Sequence, residues 1–286
     1  MQRSAMGNLN KTEEQVEVVV EPPRGWLNLR LEELWSFREL LFFFVWRDIT
    51  VRYKQTILGA AWAIIQPLLT MIVFSIIFGK LANLPSDGIP YPIFSYTALL
   101  PWQLFSRGIG DASSSLVSNQ NMITKTYFPR LILPGASVLG GLVDFGIAFL
   151  VLIGMMYYYQ ISLTWRVLFL PAFILLALMT AMAGGMWLSA FNVRFRDVKY
   201  VTPFLIQFWL YATPIAYSSS LIPEKWLTIY GLNPMAGVVD GFRWAMLGQS
   251  FGLGSMFITS LIAVLLLFLS GLIYFQRMER TFADLV

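Results

Sequence analysis

Ile57-Leu-Gly-Ala-Ala-Trp-Ala-Ile-Ile-Gln-Pro-Leu-Leu-Thr-Met-Ile-Val-Phe-Ser-Ile-Ile-Phe78 contains no charged residue, and Gly79-Lys80 closes it. A helix of about 20 apolar residues crosses the roughly 30 Å of bilayer hydrocarbon. This stretch therefore reads as a transmembrane span. Outward from it, similar spans are predicted at about 92–115, 131–158, 167–191, 201–217 and 256–274. Composition agrees: 57% of the residues are hydrophobic and 13% charged, against about 25% charged in soluble domains. The predicted fold is an all-α integral membrane protein of six transmembrane helices.

What flanks the spans sets their orientation. Arg24, Arg30, Arg38, Arg47, Arg52 and Lys54 precede the first, Lys125 and Arg130 follow the second, and Arg194, Arg196 and Lys199 follow the fourth. Arg277 and Arg280 follow the last, whereas the opposite side holds only Lys80, Arg166, Lys225 and Arg243. The positive-inside rule then places both termini in the cytoplasm. The same placement explains the net charge of +4 without a nucleic-acid partner. Residues 1–30 read as a polar tail, 31–280 as the transmembrane domain, and 281–286 as a cytoplasmic C-terminus. Within the domain, 31–52 is predicted as a helix lying at the interface, because Leu40–Trp46 is too short to span and charges bracket it.

The fifth crossing weakens at Thr213-Pro214, and residues 218–255 are too polar to span yet rich in Trp, Pro and apolar side chains. Re-entrant helices buried against protein fit this pattern, since irregular backbone at membrane depth must be covered. They would form an exterior lid bearing Pro214, Tyr217, Trp226, Asn233 and Pro234.

Neither cysteine nor histidine occurs, so the commonest general base and neutral metal ligand are missing. No catalytic or metal site is predicted. A membrane-bound lipid- or sugar-modifying enzyme is the reading from another class, but Asp48, Asp197 and Glu224 stand isolated. Ionisable residues inside spans are costly and point to function. Arg107 and Asp111, four apart on one helix face, can neutralise each other, and Asp144 can join them from the next span. An ion pair holding helices in register, a polar lining for a path, and proton coupling all remain open. Trp62, Trp102, Phe105, Phe208, Trp209 and Tyr211, with Gln66 and Gln103 among them, suit either lipid-facing packing or a path for sugar rings. Between the second and third spans, Ile123, Tyr127 and Phe128 are predicted to be exposed on the cytoplasmic side, as a short amphipathic helix docking into a partner. No phosphate-binding G-x-x-x-x-G-K-[S/T] loop is present, so ATP-driven transport would need a second chain.

The run Trp46-Arg-Asp-Ile-Thr-Val-Arg-Tyr-Lys-Gln-Thr-Ile-Leu-Gly-Ala-Ala-Trp62, with Gln66-Pro67, resembles the entry to the first span of ABC-2 type polysaccharide export permeases. These are the membrane subunits of O-antigen, capsule and teichoic acid exporters. Phe128-Pro-Arg130 with Leu133-Pro134, Arg196-Asp-Val198, Thr213-Pro-Ile-Ala-Tyr217 and Asn233-Pro234 resemble later signatures, over roughly residues 35–280. The resemblance implies a homodimer with a channel for a lipid-linked polymer, in the inner membrane of a prokaryote. It also implies two cytoplasmic ATPase subunits carrying ATP and Mg, with no cofactor in this chain. By the same resemblance, Ile123, Lys125, Tyr127, Phe128, Pro129 and Arg130 contact the ATPase. Arg47, Arg52, Tyr53 and Lys54 lie near the substrate's phosphate, and the region from Pro214 forms the external gate. An exporter of a lipid or small amphiphile is the nearest alternative.

Overall fold

The computed structural model describes residues 31–54, 59–249 and 254–285. The predicted polar tail and the first residues of the first predicted span lie outside them. Every regular element among the described residues is helical: α1 Leu31–Ser36, α2 Arg38–Lys54, α3 Ala61–Phe74, α4 Tyr91–Ser118, α5 Gln120–Ile123, α6 Ile132–Tyr158, α7 Leu170–Arg194, α8 Val198–Ala212, α9 Glu224–Tyr230, α10 Pro234–Leu247 and α11 Ser255–Leu285. A π-helical turn, Ser75–Leu81, extends α3, and a 3₁₀ turn, Trp165–Phe169, leads into α7. The predicted interfacial helix is two pieces, broken at Phe37. The residues assigned to the C-terminus continue α11, which is helical to Leu285.

Four stretches are long and apolar enough to cross a membrane: Ala61–Leu81, Ile132–Tyr158, Trp165–Arg194 and Ser255–Glu279. They coincide with four of the predicted spans. The other two are built differently. At 28 residues, α4 is about 42 Å long, but Gln103, Arg107, Asp111 and Ser113–Ser115 make it polar. It tolerates them because it lies at the centre, packed against α6, α7, α3, α8 and α10. Ile93 to Leu100 are all buried. Gly184 and Gly185 let α7 approach closely: a Cβ on them would stand 2.3 Å from Ile109 Cδ1 and 2.6 Å from Ala112 Cβ. Small residues at such crossings are the usual route to tight helix packing in lipid.

The fifth crossing ends sooner than predicted. α8 has 15 residues, about 22 Å of rise, and cannot span alone. Pro214 is the cause, since the residue before a proline is pushed out of the helical region: Thr213 is extended at φ −102°, ψ 144°. The open backbone beyond it is bonded by Arg243 of α10. This arginine is 1% exposed. Its Nη1 donates to Pro214 O at 2.6 Å and its Nη2 to Ile215 O at 2.7 Å, while Nε reaches Phe94 O at 3.3 Å. Its guanidinium lies 3.6 Å from the Phe94 ring centre, with Asp240 at 3.8 Å. Asn233 completes the join. It caps α10 by accepting from Met235 N, accepts from Trp209 Nε1 at 2.8 Å, and donates to Ala212 O.

One helix touches both ends of the bundle. Near the start of α11, Ser260 Oγ accepts from Gly237 N and donates to Pro234 O of α10. Near its end, Glu279 accepts the backbone N–H of Arg130 at 2.9 Å, and Phe282 is buried in a cluster with Phe44, Phe128 and Phe275. Midway, Gly271 meets α7, where a Cβ would lie 2.9 Å from Ala183 O.

Removing one partner from buried polar groups costs about 3 kcal/mol or more. Arg243→Met should therefore lower the thermal unfolding midpoint of the detergent-solubilised protein sharply, whereas Arg166→Met, at the exposed contact with Gly248 O, should leave it nearly unchanged. Equal midpoints for the two variants would refute the role given to Arg243.

Candidate functional site

A cavity of about 540 Å³ opens among α3, α4, α6 and α8. Trp62 and Gln66 come from α3, Trp102 and Gln103 from α4, and Lys199 and Gln207 from α8. Arg107, Asp111 and Asp144 stand in its wall. A polar, aromatic-edged hollow inside an apolar bundle is where a ligand with hydroxyls and flat faces can be held.

The charged wall is wired differently from the sequence expectation. Arg107 and Asp111 do not pair directly; each reaches across to another helix. Arg107 Nη1 bonds Asp144 Oδ2 on α6. Asp111 Oδ2 accepts from Arg52 Nη2 at 2.7 Å, and Arg52 Nη1 bonds the same Asp144 Oδ2 at 2.5 Å. Tyr53 OH donates to Asp144 Oδ1. Two cations and two anions thus tie α2 to α4 and α6. Arg52 and Tyr53, placed by resemblance near the substrate's phosphate, belong to this cluster. The connection was missed because a register of 92 residues between Arg52 and Asp144 leaves no local pattern.

The other predicted substrate residues divide. Arg47 bonds Asp48 Oδ1 and donates to Asn119 Oδ1 at 2.8 Å, over the Phe44 ring; Lys54 is exposed. Phe105 is fully buried between Trp102 and Trp209 and does not face the cavity. Phe208 and Tyr211 are exposed on α8 and are absent from the cavity lining. Trp209 serves Asn233, as above.

The segment between α4 and α6 requires a correction. Ile123 and Phe128 were predicted to be exposed, yet they are 2% and 0% exposed. Phe128 packs 6.0 Å from the Phe44 ring, because α2 folds under the segment and covers it. What remains outside is Lys125 and Tyr127, with Pro129 and Arg130 half-buried. Tyr127 OH donates to Glu33 Oε1 at 2.8 Å, and the Arg130 guanidinium lies over the Tyr127 ring.

In the segment after α8, predicted to form a lid, Tyr217 and Tyr230 hydroxyls bond each other at 2.7 Å, and Tyr230 OH donates to Ala212 O. Trp226 is half exposed on α9. Pro214 and Pro234 bracket the join. Arg243 was counted from sequence as an external loop cation; the structure shows it buried. Its only signal was an arginine amid Gly241-Phe-Arg-Trp244, an apolar setting.

Residues 39–247, from α2 through α10, match the ABC-2 type transporter family model. The chain belongs to the ABC-2 type transporter family. Among relatives of this ABC-2 protein, the O-antigen export system permease protein RfbA of Myxococcus xanthus is 30% identical over 217 residues, 74% of this chain and 82% of that one. A protein of the same designation from Klebsiella pneumoniae is 30% identical over 251 residues, 87% and 95% of the two chains. The polysialic acid transport protein KpsM of Escherichia coli is 21% identical over 244 residues, 82% and 91% of the two chains. Family membership and the four apolar helices make it a multi-pass membrane protein.

Charge balance in the wall of this ABC-2 protein has a measurable consequence. Asp144→Leu leaves Arg107 unpaired and should cost about 3 kcal/mol. Adding Arg107→Met restores balance, because Arg52 keeps Asp111, and should recover most of the loss in thermal unfolding. Additive effects would show that the pair is not coupled.

Proposed function

We propose that this chain is the permease subunit of an ATP-driven exporter, moving a lipid-linked polysaccharide, of the O-antigen kind, across the cytoplasmic membrane. The observation that carries the reading is the cavity, lined by the indoles of Trp62 and Trp102 and the amides of Gln66, Gln103 and Gln207 beside a charged wall. Sugar rings stack their C–H faces on indoles and exchange hydrogen bonds with amides. The printed names of the relatives, O-antigen export and polysialic acid transport, support the same substrate class.

In this reading two copies of the chain pair to frame the path, with both termini cytoplasmic as the Lys and Arg distribution indicates. Each copy takes one ATPase subunit, which brings ATP and Mg. The contact is the segment after α4, through Lys125, Tyr127 and Arg130, with Ile123 and Phe128 acting from beneath as its packed base. The segment joined to Arg243 and Asn233 is the external gate. A second reading, export of a lipid or small amphiphile, draws on cavity size: about 540 Å³ within one chain is in the range of small-molecule sites.

Two experiments test the proposal. Expressed with its ATPase in a strain lacking its own exporter, the wild type should restore surface polymer, and Trp62→Ala should lower export about two- to tenfold. Unchanged lipid-linked polymer inside the cell, with no polymer outside, would refute polysaccharide export. Separately, Lys125→Glu with Tyr127→Ala should reduce co-purification with the ATPase while leaving the unfolding midpoint in place. Full stoichiometry in that variant would exclude the docking role.

A further inference from the structure

Two apolar spans adjoin at one end of the bundle. α6 stops at Tyr158, and the next span opens at Trp165. Tyr157, Tyr158, Trp165, Leu168 and Phe169 are exposed there, and exposed aromatic rings at the end of a span mark the headgroup layer. Trp165 and Phe169 lean on the Trp244 ring of α10, with centroids 6.4 and 5.6 Å from it.

Arg166 stands within this patch and is fixed through one nitrogen. α10 ends at Gly248 in the left-handed region, at φ 72° and ψ 14°, a conformation that glycine adopts without a Cβ penalty. Arg166 Nη1 donates to Gly248 O at 2.8 Å, and the guanidinium lies 5.5 Å from the centre of the Trp244 ring. Among the described residues no carboxylate pairs with Arg166. Its Nε and Nη2 make no hydrogen bond with those residues and are not buried. A cation held by a ring and a carbonyl, with free donors and no counter-ion, is an anion site still short of its anion. Gln249, whose backbone O is 3.5 Å from the same Nη1, has its side-chain Nε2 buried without an acceptor. That is a second donor which gains by turning to an incoming oxygen. None of these residues lines the cavity, so the ligand arrives from the bilayer and not along the path.

We propose that Arg166, with Gln249 beside it and Trp165 and Phe169 as its apolar border, binds the phosphodiester headgroup of an anionic phospholipid resident in the membrane. The guanidinium fork suits phosphate oxygens, and the lipid's net charge supplies the counter-ion that the protein withholds. The exposed rings pack on the glycerol and first methylenes. Bound there, the headgroup joins the start of α7 to the end of α10, the helix whose Asn233 and Arg243 fasten the break after α8. The site is independent of which cargo the protein moves.

The test is a titration of the purified full chain in a neutral maltoside detergent with phosphatidylglycerol, phosphatidylcholine and inorganic phosphate. It reads the unfolding midpoint and, by native mass spectrometry, the lipid retained per chain. Phosphatidylglycerol should be retained and should raise the midpoint, and phosphatidylcholine should be retained about tenfold less. Arg166→Gln should cut phosphatidylglycerol retention about tenfold and remove the rise, with no change of midpoint in detergent alone. Gln249→Glu offers Arg166 a carboxylate from within the chain. It should lose the lipid response while unfolding no earlier than the wild type in detergent, which separates loss of the site from loss of the fold. Lys225→Gln, at an exposed cation of α9, should behave as the wild type. Inorganic phosphate that protects as well as the lipid supports the anion site and assigns it to the free ion. Equal retention of the two lipids, undiminished retention by Arg166→Gln, or an equal loss in Lys225→Gln overturns the proposal.

Discussion

Backbone groups buried in an apolar bundle have no water to turn to, and this chain breaks a helix there: Thr213 and Ile215 are fully buried. The break at Thr213-Pro214 is tolerable because one guanidinium gathers the carbonyls that the lost helix would have bonded. Arg243 reaches Pro214, Ile215, Tyr217 and Phe94 at once, and its own charge is spread over the Phe94 ring and met by Asp240. A lysine could not serve three directions from a planar fork. The rest of that end follows. With the carbonyls bound, the chain can turn back through α9 and α10, and Asn233 can fasten the return to the end of α8.

α4 shows the complementary solution. Rather than exposing polar residues at a break, it hides them in a helix surrounded by five others. Its polar side faces the cavity and its apolar side packs on α7 through the paired glycines. Among the described residues its charges bond to partners on α2 and α6, so one end of the bundle is held by electrostatics where the other is held by hydrogen bonds to backbone.

Legibility in the sequence followed the range of each interaction. Spans with a continuous apolar run were legible because one local property decides them: Ile132–Tyr158 to within a residue, the other three with ends off by up to about five residues. The failing fifth crossing was legible in outline from Thr213-Pro214, but its end at Ala212 depended on how proline constrains its neighbour. The intramembrane charges could be named but not paired, since Arg52 meets Asp144 only through the tertiary fold. Phe128 was misplaced for the same reason: an apolar residue in a polar segment looks exposed until the helix that covers it, α2, is in place. The aromatics divided likewise. Trp62 and Trp102 line the cavity, whereas Phe105 and Trp209 serve packing and the cap at Asn233, and nothing in a list of rings separates the two.

α11 runs unbroken for 31 residues, joined through Ser260 to the returning segment at one end and through Glu279 to the segment after α4 at the other. Between these attachments it presses on α7 at a glycine, where no side chain keeps the two backbones apart. A stiff rod fastened at both ends and bearing on a neighbour near its middle is a lever with a fulcrum. A small tilt about Gly271 swings the two ends in opposite senses, so displacement at one face of the bundle arrives at the other without any helix having to bend.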